Sequence, residues 1–427
     1  MNKQKKNDLF SLMDERKNFI NLDINHVSKI NNAKTITKEK IGKNCKISFD
    51  NKTPYIIIII ILCIIILILL GIIFSRPNNE VKLVYKEHNE VFYTNKSQSN
   101  ELKSLFLFKE DKTEIKDKNK IRICYCIDNN SVYPTLVSMT SALENNDKEK
   151  NVIIFYLFVS HNFNKKKVEI FDSLKKKYLV KIHYYMIPPR FNRLRKWTWG
   201  TATVYFKLYI PLVLPNLERI LYLDADTLIY QDLSELFTLD FHGNYAMGYP
   251  FHSVKMINRW NKKLVNYING GVILFNIKKI TKDNKDAELL KFALKNHKRL
   301  FFLEQDALNL VFFNKTGLLP LKYGIYLFGN ITTYRKKVKK ELRVHLNETE
   351  LIDALQKPAL LHLAGCFPKV WTNKKYKNCF KDTSVCFKPH KDFYFYANKT
   401  DYAEKIIKKY IKKRKHRFFK LRGFYNS

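Results

Sequence analysis

Residues 220–233 read ILYLDADTLIYQDL, and this stretch decides how the rest of the chain is interpreted. An apolar run leads directly into two carboxylates, Asp224 and Asp226, which are separated by a single alanine. An unpaired buried carboxylate is unfavourable, so both acids need a cation, a hydrogen-bonding partner or water. The pattern predicts a buried strand that ends in a charged site. A strand-end cap in a surface turn is the alternative.

Short apolar runs alternate with segments of helical spacing around this stretch. The predicted strands are 121–127, 151–160, 179–187 and 219–223, and the predicted helices are 131–146, 164–178 and 201–214. This alternation predicts an α/β fold, with a mixed, mostly parallel sheet and helices on both faces. Ligands bind such sheets beyond the carboxyl ends of the strands. Asp128 and Asn130, which follow the first run, are therefore expected to share a crevice with Asp224 and Asp226.

Three later segments carry further polar residues. Residues 267–276 contain a glycine pair that leads into a strand. Residues 302–312 begin a predicted helix, with Glu304 and Asp306 suited to its positive N-terminal end. Residues 359–371 are an apolar strand that breaks at His362. After residue 375 the chain is predicted to be a loop, until a basic, partly amphipathic helix at 402–424.

The composition excludes few functions. The chain has 427 residues and 46% hydrophobic content, enough for a large core. Its net charge of +38 would suit a nucleic-acid or membrane-surface binder. Lysines are spread over segments that share no common face, so we interpret the charge as background composition and expect no nucleic-acid partner.

Residues 55–74, YIIIIIILCIIILILLGIIF, contain no charged side chain. A helix of this length spans about 30 Å, the thickness of the hydrocarbon core of a bilayer. Residues 34–54 hold six lysines, whereas the basic residues of 75–95 are balanced by three glutamates. The positive side stays in the cytosol, so the larger C-terminal part faces a lumen or the exterior.

These features predict a single-pass, type II membrane protein of the Golgi or ER with a signal-anchor helix. The predicted parts are a disordered cytosolic tail (1–54), the membrane helix (55–74), a stem (75–120), a folded domain (121–375) and a basic C-terminal extension (376–427). Cys379 and Cys386 flank a short polar loop and are the best candidates for a disulfide in an oxidising lumen.

Five blocks in order resemble glycosyltransferase family 8, a retaining family with a GT-A, Rossmann-like fold. They are IRICYCIDNNSVY (121–133), ERILYLDADTLIYQDLSELF (218–237), NGGVILFN (269–276), LEQDALN (303–309) and HLAG (362–365) with Lys369 and Trp371. The resemblance implies transfer of a hexosyl or pentosyl unit from a UDP-sugar to a glycan or glycoprotein. It also implies a divalent cation that neutralises the departing diphosphate.

The resemblance also assigns roles to individual residues. Asp224, Asp226 and His362 are the implied metal ligands, and adding an imidazole to hard oxygen ligands favours Mn²⁺, with Mg²⁺ as the alternative. The implied nucleotide-sugar contacts are Asp128, Asn130, Lys207, Asp224, Asn269, Gly270 and Lys369. Gln305 and Asp306 are implied on the reactive face of the donor sugar. A packed core histidine, a helix cap near Asn130 and an ordinary turn at the glycines are the structural alternatives.

Two departures from the family pattern support a second hypothesis. Lys207 stands where the family has an arginine, so it lacks the two-pronged guanidinium contact. Three residues separate Gly365 from Lys369, where the family pattern has two. A catalytically inactive scaffold that binds a nucleotide or a glycan is therefore the alternative to the enzyme.

Overall fold

The computed structural model of the chain describes residues 106–115, 118–194, 196, 201–251, 266–326, 348–364, 369–372, 378–380 and 385–411. All of them lie in one compact unit, Val84–Ser427. The predicted cytosolic tail, the predicted membrane helix and most of the predicted stem lie outside the described residues. None of the described helices combines the length and the apolar character that a bilayer crossing requires.

An eight-stranded sheet lies at the centre of the domain, in the order β1-β4-β3-β2-β5-β8-β7-β9. Its strands are β1 (Leu107–Lys109), β2 (Asn119–Ile127), β3 (Asn151–Ser160), β4 (Val180–Ile187), β5 (Arg219–Leu223), β7 (Ala246–Pro250), β8 (Ile268–Asn276) and β9 (Thr316–Leu318). The pairs β4-β3, β3-β2, β2-β5 and β7-β9 are parallel, and the other three pairs are antiparallel. Within this sheet, β1 and β8 run against the other six strands.

Helices and 3₁₀ turns cover both faces of this sheet. The helices are α1 (Val132–Glu144), α2 (Val168–Asp172), α3 (Ile210–Val213), α4 (Ile277–Lys282), α5 (Lys285–Asn296), α6 (Glu304–Val311), α7 (Glu348–Gln356), α8 (Pro389–Ala397) and α9 (Ala403–Ile411). Strand β2 alternates between two cores. Ile123 and Tyr125 pack in the core that contains α1, whereas Cys124 and Cys126 pack in the core that contains α5 and α6. All ten residues of β3 are buried, as expected for a strand that is covered on both faces. The predicted fold class is confirmed.

A second, three-stranded sheet carries part of the functional site. It has the order β10-β11-β6, with β6 (Thr227–Ile229), β10 (Ile325–Tyr326) and β11 (Leu360–His362). Strand β11 runs antiparallel to β6, and their register pairs His362 with Thr227. This pairing brings residue 362 beside the segment that follows β5, although 135 residues separate the two in sequence.

Some predicted boundaries were wrong. The predicted helix 164–178 is broken into 3₁₀ turns on either side of α2, and most of 201–214 is a 3₁₀ segment, Ala202–Tyr209. The end of the predicted stem belongs to the sheet, because β1 pairs with β4, and Asn119 and Lys120 of β2 pair with β3. Next to β1, Phe106 is buried and the buried Asp111 carboxylate binds Lys175 at 2.6 Å.

The predicted loop after residue 375 contains regular structure. Strands β12 (Asn378–Phe380) and β13 (Val385–Phe387) form an antiparallel pair whose backbone register places Cys379 opposite Cys386. Helix α8 follows, with a proline in its first turn. Helix α9 confirms the first part of the predicted basic helix, and residues 412–424 lie outside the described residues.

Candidate functional site

Asp224 and Asp226 lie in the connection between β5 and β6, at the carboxyl end of β5. Backbone hydrogen bonds hold both residues. The Asp224 N–H donates to the Gly271 carbonyl at 2.8 Å, and the Leu363 N–H donates to the Asp226 carbonyl at 2.8 Å. The two acids are thus tied to β8 on one side and to the residue after β11 on the other.

The imidazole of His362 lies between the two carboxylates. Its Nε2 is 3.5 Å from Oδ2 of Asp224 and 3.4 Å from Oδ1 of Asp226. One ligand atom from each of the three residues lies within 4.8 Å of the others, and the histidine side chain is buried. The structure therefore brings together all three residues that the sequence predicted as metal ligands.

This group of side chains fits a divalent cation. Carboxylate oxygens suit both Mg²⁺ and Mn²⁺, and the added imidazole nitrogen favours Mn²⁺. Three protein ligands would leave further positions of the ion open to another molecule. The backbone approaches closely at the same point, since a Cβ added at Gly271 would lie 2.7 Å from Asp224 Oδ2.

The charges of the three ligands depend on each other. Burial alone would raise the pKa of the Asp224 carboxyl, but the Lys207 ammonium and His362 outweigh it, so that pKa is lowered. Burial likewise opposes ionisation of Asp226, but Lys369 and His362 hold its pKa far below the ordinary value. Burial would lower the pKa of His362, but the two carboxylates raise it to about 9. The raised pKa favours the protonated ring of His362 when no metal is bound.

Lys369 reaches the Asp226 carboxylate from another segment. Its Nζ lies 2.5 Å from Oδ2 of Asp226, and 40% of its side chain is exposed. An ammonium group that is paired and still accessible can exchange its partner for an anionic ligand. The lengthened loop at 365–368, which the sequence marked as a departure, lies outside the described residues.

Lys207, by contrast, is enclosed by protein. It is 1% exposed, and its Nζ donates to the Gly270 carbonyl at 2.6 Å and to Oε1 of Glu304 at 2.9 Å. The Asp224 carboxylate is 3.7 Å away, and the Tyr222 ring centroid is 4.5 Å away. Burial would lower the pKa of Lys207, but Glu304 and Asp224 outweigh it and raise that pKa, so the lysine stays charged.

Asp128 lies in the turn that joins β2 to α1. Its Oδ1 accepts hydrogen bonds from the N–H groups of Asn130 and Ser131 and from the Ser131 hydroxyl. Asp128 therefore fixes the turn that leads into α1. The N-cap residue is Ser131, and among the described residues no side chain forms a capping hydrogen bond there, so Asn130 does not have the capping role that the sequence offered it. Within the part of the chain that the structure describes, no group donates to Oδ2 of Asp128. Asn130 is exposed.

Asn269 and Gly270 lie in β8, beside the start of α6. The Asn269 side chain accepts a hydrogen bond from the Gly271 N–H at 2.7 Å. The Gly270 N–H donates to Oε1 of Gln305 at 2.8 Å, and Nε2 of Gln305 donates to the Tyr267 hydroxyl at 3.0 Å. The glycines are thus inside a strand, which excludes the ordinary turn that the sequence also allowed.

Asp306 is buried in the first turn of α6. Its Oδ1 accepts a hydrogen bond from the Tyr267 hydroxyl at 2.6 Å, and its Oδ2 accepts from the N–H groups of Phe301 and Phe302 at 2.6 and 2.9 Å. Leu303, between these groups, has a positive φ of 56°. The Asp306 carboxylate therefore holds together the sharp turn that brings the chain into α6.

Two residues of this site were not assigned to it from the sequence. Tyr222 donates its hydroxyl to Oδ1 of Asp224 at 2.6 Å. Glu304 pairs with Lys207, whereas the sequence suggested only an interaction with the helix N-terminus. The signal for Glu304 was its place directly before Gln305 and Asp306, and the signal for Tyr222 was its place two residues before Asp224.

The sequence profile of Glycosyl transferase family 8 matches residues 122–375. The chain belongs to this family. Within the matched range, the family 8 domain contains the eight-stranded sheet from β2 onward, the three-stranded sheet and every site residue described above.

Two relatives of the chain are named as lipopolysaccharide glycosyltransferases. A lipopolysaccharide 1,3-galactosyltransferase of Salmonella typhimurium is 30% identical over 225 residues, which is 49% of this chain and 64% of that protein. A lipopolysaccharide 1,2-glucosyltransferase of Escherichia coli is 27% identical over 245 residues, which is 52% of this chain and 70% of that protein. The match to the galactosyltransferase thus covers less than two thirds of its length.

Solved structures show the same fold. The galactosyltransferase LgtC, in complex with donor and acceptor sugar analogues, superimposes with a TM-score of 0.52 and 17% identity, over 66% of this chain and 96% of that one. The apo structure of the bifunctional glycosyltransferase WbbM gives a TM-score of 0.54 and 19% identity, over 69% and 52% of the two chains. The predicted family and its GT-A fold are therefore confirmed.

Proposed function

We propose that this chain is a metal-dependent, retaining glycosyltransferase that moves a hexosyl or pentosyl unit from a UDP-sugar to a glycan or glycoprotein acceptor. The observation that carries the proposal is the convergence of Asp224, Asp226 and His362 at the carboxyl end of β5. Lys369 lies against Asp226, one of the two acids of this group. Two acids, an imidazole and an accessible ammonium suit a cation bound together with a diphosphate.

In this proposal Asp224, Asp226 and His362 hold Mn²⁺ or Mg²⁺. When bound, the ion supplies positive charge that stabilises the departing diphosphate. Lys369 leaves Asp226 to contact the diphosphate, and the Oδ2 oxygen of Asp128 accepts the uracil N–H. Asn130 binds the ribose. The charged Lys207 holds the Gly270 carbonyl and Asp224 in place beneath the donor sugar.

Asn269, Gly270, Gln305 and Asp306 form the wall on the sugar side. In this proposal the Gln305 amide faces the reacting carbon, and Asp306 fixes the turn that sets the position of Gln305. The hydrogen bonds from Gln305 to Gly270 and Tyr267 support a rigid wall, which holds a sugar in one orientation.

The test is a screen of UDP-glucose, UDP-galactose and UDP-xylose with the full-length chain and Mn²⁺, following UDP release and sugar transfer. Asp226→Ala should abolish turnover while leaving the fold intact. Glu350→Ala, which removes an exposed acid of α7, is the control and should leave turnover unchanged. Turnover by Asp226→Ala at the wild-type rate would refute the metal assignment. Donor binding by the wild type without hydrolysis or transfer would support the inactive scaffold instead.

We also propose that residues 55–74 anchor the chain as a type II membrane protein of the Golgi or ER, with the family 8 domain in the lumen. The uncharged stretch and the excess of lysine before it support this topology. Protease treatment of intact vesicles tests it. The domain should resist digestion until detergent is added. Digestion without detergent would show that the domain faces the cytosol, which contradicts the proposed orientation.

A further inference from the structure

Helix α8 lies outside the matched range of 122–375, yet it contacts both segments of the ion pair between Lys369 and Asp226. One set of contacts reaches the residues that follow Lys369. The other set reaches the residues that follow Asp226. A rigid element that touches both sides of a charged pair can fix the distance between them.

On the lysine side, α8 binds the backbone directly. The Tyr394 hydroxyl donates to the Trp371 carbonyl at 2.8 Å. Nδ1 of His390 lies 2.8 Å from the Val370 carbonyl, and because a carbonyl only accepts, this nitrogen carries the proton in that contact. The Trp371 ring packs on Phe393 with centroids 5.3 Å apart. Helix α8 thus holds Val370 and Trp371 through their backbone carbonyls and through the Trp371 ring.

On the aspartate side, α8 is tied to the end of β6. The Tyr230 hydroxyl, four residues after Asp226, donates to Oδ2 of Asp392 at 3.0 Å. The Asn145 amide donates to the Ile229 carbonyl at 3.0 Å and to the Tyr396 hydroxyl at 2.8 Å. The helix is therefore fixed to the strand that begins directly after Asp226.

The helix is itself firmly seated. Phe393 and Ala397 are buried in the core that contains α1. Burial raises the pKa of Tyr394 to about 12, so its hydroxyl keeps the donor proton at neutral pH. The Tyr394 hydroxyl can therefore act as the donor to the Trp371 carbonyl.

We propose that Tyr394 is a positioning residue, which sets the Lys369 ammonium for its contact with the donor diphosphate. This inference rests on the proposed function. Loss of the Tyr394 hydroxyl leaves the Trp371 carbonyl without its donor from α8 and loosens the segment that carries Lys369. The ammonium then spends less time aligned with the bound diphosphate, and donor affinity falls.

The experiment measures UDP binding to the full-length chain by calorimetry in the presence of Mn²⁺. Tyr394→Phe should weaken UDP binding by about fivefold to tenfold, as expected for one lost hydrogen bond. Tyr245→Phe is the matched control, because it removes a tyrosine hydroxyl that donates to Asp283 and takes no part in the contacts between α8 and the Lys369–Asp226 pair. It should leave UDP affinity unchanged.

Testing Tyr394→Phe in a protein that already lacks Lys369 separates an effect on the position of the ammonium from an effect on general stability. In Lys369→Met, the ammonium is absent, so adding Tyr394→Phe should cause no further loss of UDP affinity. Equal losses in both backgrounds, or no loss in the wild-type background, would overturn the positioning role. If Tyr394→Phe does not fold, His390→Ala removes the donor to the Val370 carbonyl and is subject to the same comparison.

The two proposals fail in different ways. A wild-type chain that binds neither UDP nor a UDP-sugar would refute the proposed function, and the role of Tyr394 with it. A wild-type chain that binds UDP with an affinity that Tyr394→Phe leaves unchanged would refute the role of Tyr394 alone.

Discussion

The ring of His362 occupies the space that any side chain at position 271 would need. A Cβ on Gly271 would lie 2.1 Å from Cε1 and 2.7 Å from Nε2 of His362. Strand β8 thus lies directly against the proposed metal ligands, and only a glycine allows this approach.

Gly271→Ala should therefore disrupt the metal site. The added methyl group displaces His362, and we expect Mn²⁺ affinity to fall by about 10–100-fold, as for loss of a residue that orients a ligand. The measurement is Mn²⁺ binding followed by calorimetry or electron paramagnetic resonance. At Gly270 a Cβ would lie 3.2 Å from the nearest atom, in the Gln305 side chain, so Gly270→Ala should weaken Mn²⁺ binding much less. Equal effects of the two substitutions would contradict this explanation.

Adding metal should cancel the pH dependence of stability that His362 contributes between about pH 6.5 and pH 9. In the metal-free protein the carboxylates raise the pKa of His362 from 6.5 to about 9. The stability that this group contributes is fully present below the unfolded pKa of 6.5 and is lost as pH rises through about 9. Metal binds the neutral ring, so below pH 9 binding must release a proton, and affinity should increase with pH by about tenfold per unit.

Thermal unfolding between about pH 6 and pH 9, with EDTA and with Mn²⁺, measures both trends. The quantity to compare is the difference between wild type and His362→Gln, because this subtraction removes the other titrating groups. A difference that is independent of pH in EDTA would show that folding leaves the pKa of His362 unchanged, which would contradict the raised pKa.

Lys207→Met should destabilise the fold. It leaves Glu304, which is 7% exposed, without the cation that lies 2.9 Å away. Breaking a buried ion pair costs about 3–5 kcal/mol, and urea unfolding measures this loss. The double variant Lys207→Met/Glu304→Gln should recover part of the stability, since the glutamine carries no charge. If the double variant is no more stable than the single one, the pair is not the cause.

Asp306→Asn should lower both stability and turnover. The amide cannot accept hydrogen bonds with both of its ends, so it loses either the Tyr267 hydroxyl or the two N–H groups before α6. We expect a loss of about 1–3 kcal/mol in the free energy of unfolding. Glu350→Gln removes an exposed acid and controls for the change in charge. Normal stability of Asp306→Asn combined with lost turnover would assign the carboxylate to the chemistry instead.

The sequence predicted the central strands well, because a strand buried on both faces leaves a continuous apolar run. The run 151–160 coincides with β3 for this reason. The acids at the end of β5 were found by the same logic. Their partner His362 was placed by family resemblance alone, since the register between β11 and β6 is a long-range property that no local pattern encodes.

Other features of the site depend on contacts between distant segments. Asp306 looked like a reactive acid, and its hydrogen bonds to Tyr267 and to the turn before α6 appear only in three dimensions. Helix α8 was missed because it is short and begins with a proline, so its polar and aromatic residues resembled a loop. The partner of Lys207 was missed because Glu304 also suits a helix N-terminus.

One consequence concerns the three residues between Gly365 and Lys369. The chain is anchored before this stretch by the Leu363 N–H on Asp226, and after it by the bonds from α8 to Val370 and Trp371. With both ends fixed, an inserted residue need not shift His362 or Lys369. A change in the number of residues between positions 365 and 369 is therefore expected to leave the contacts of His362 and Lys369 with Asp226 in place.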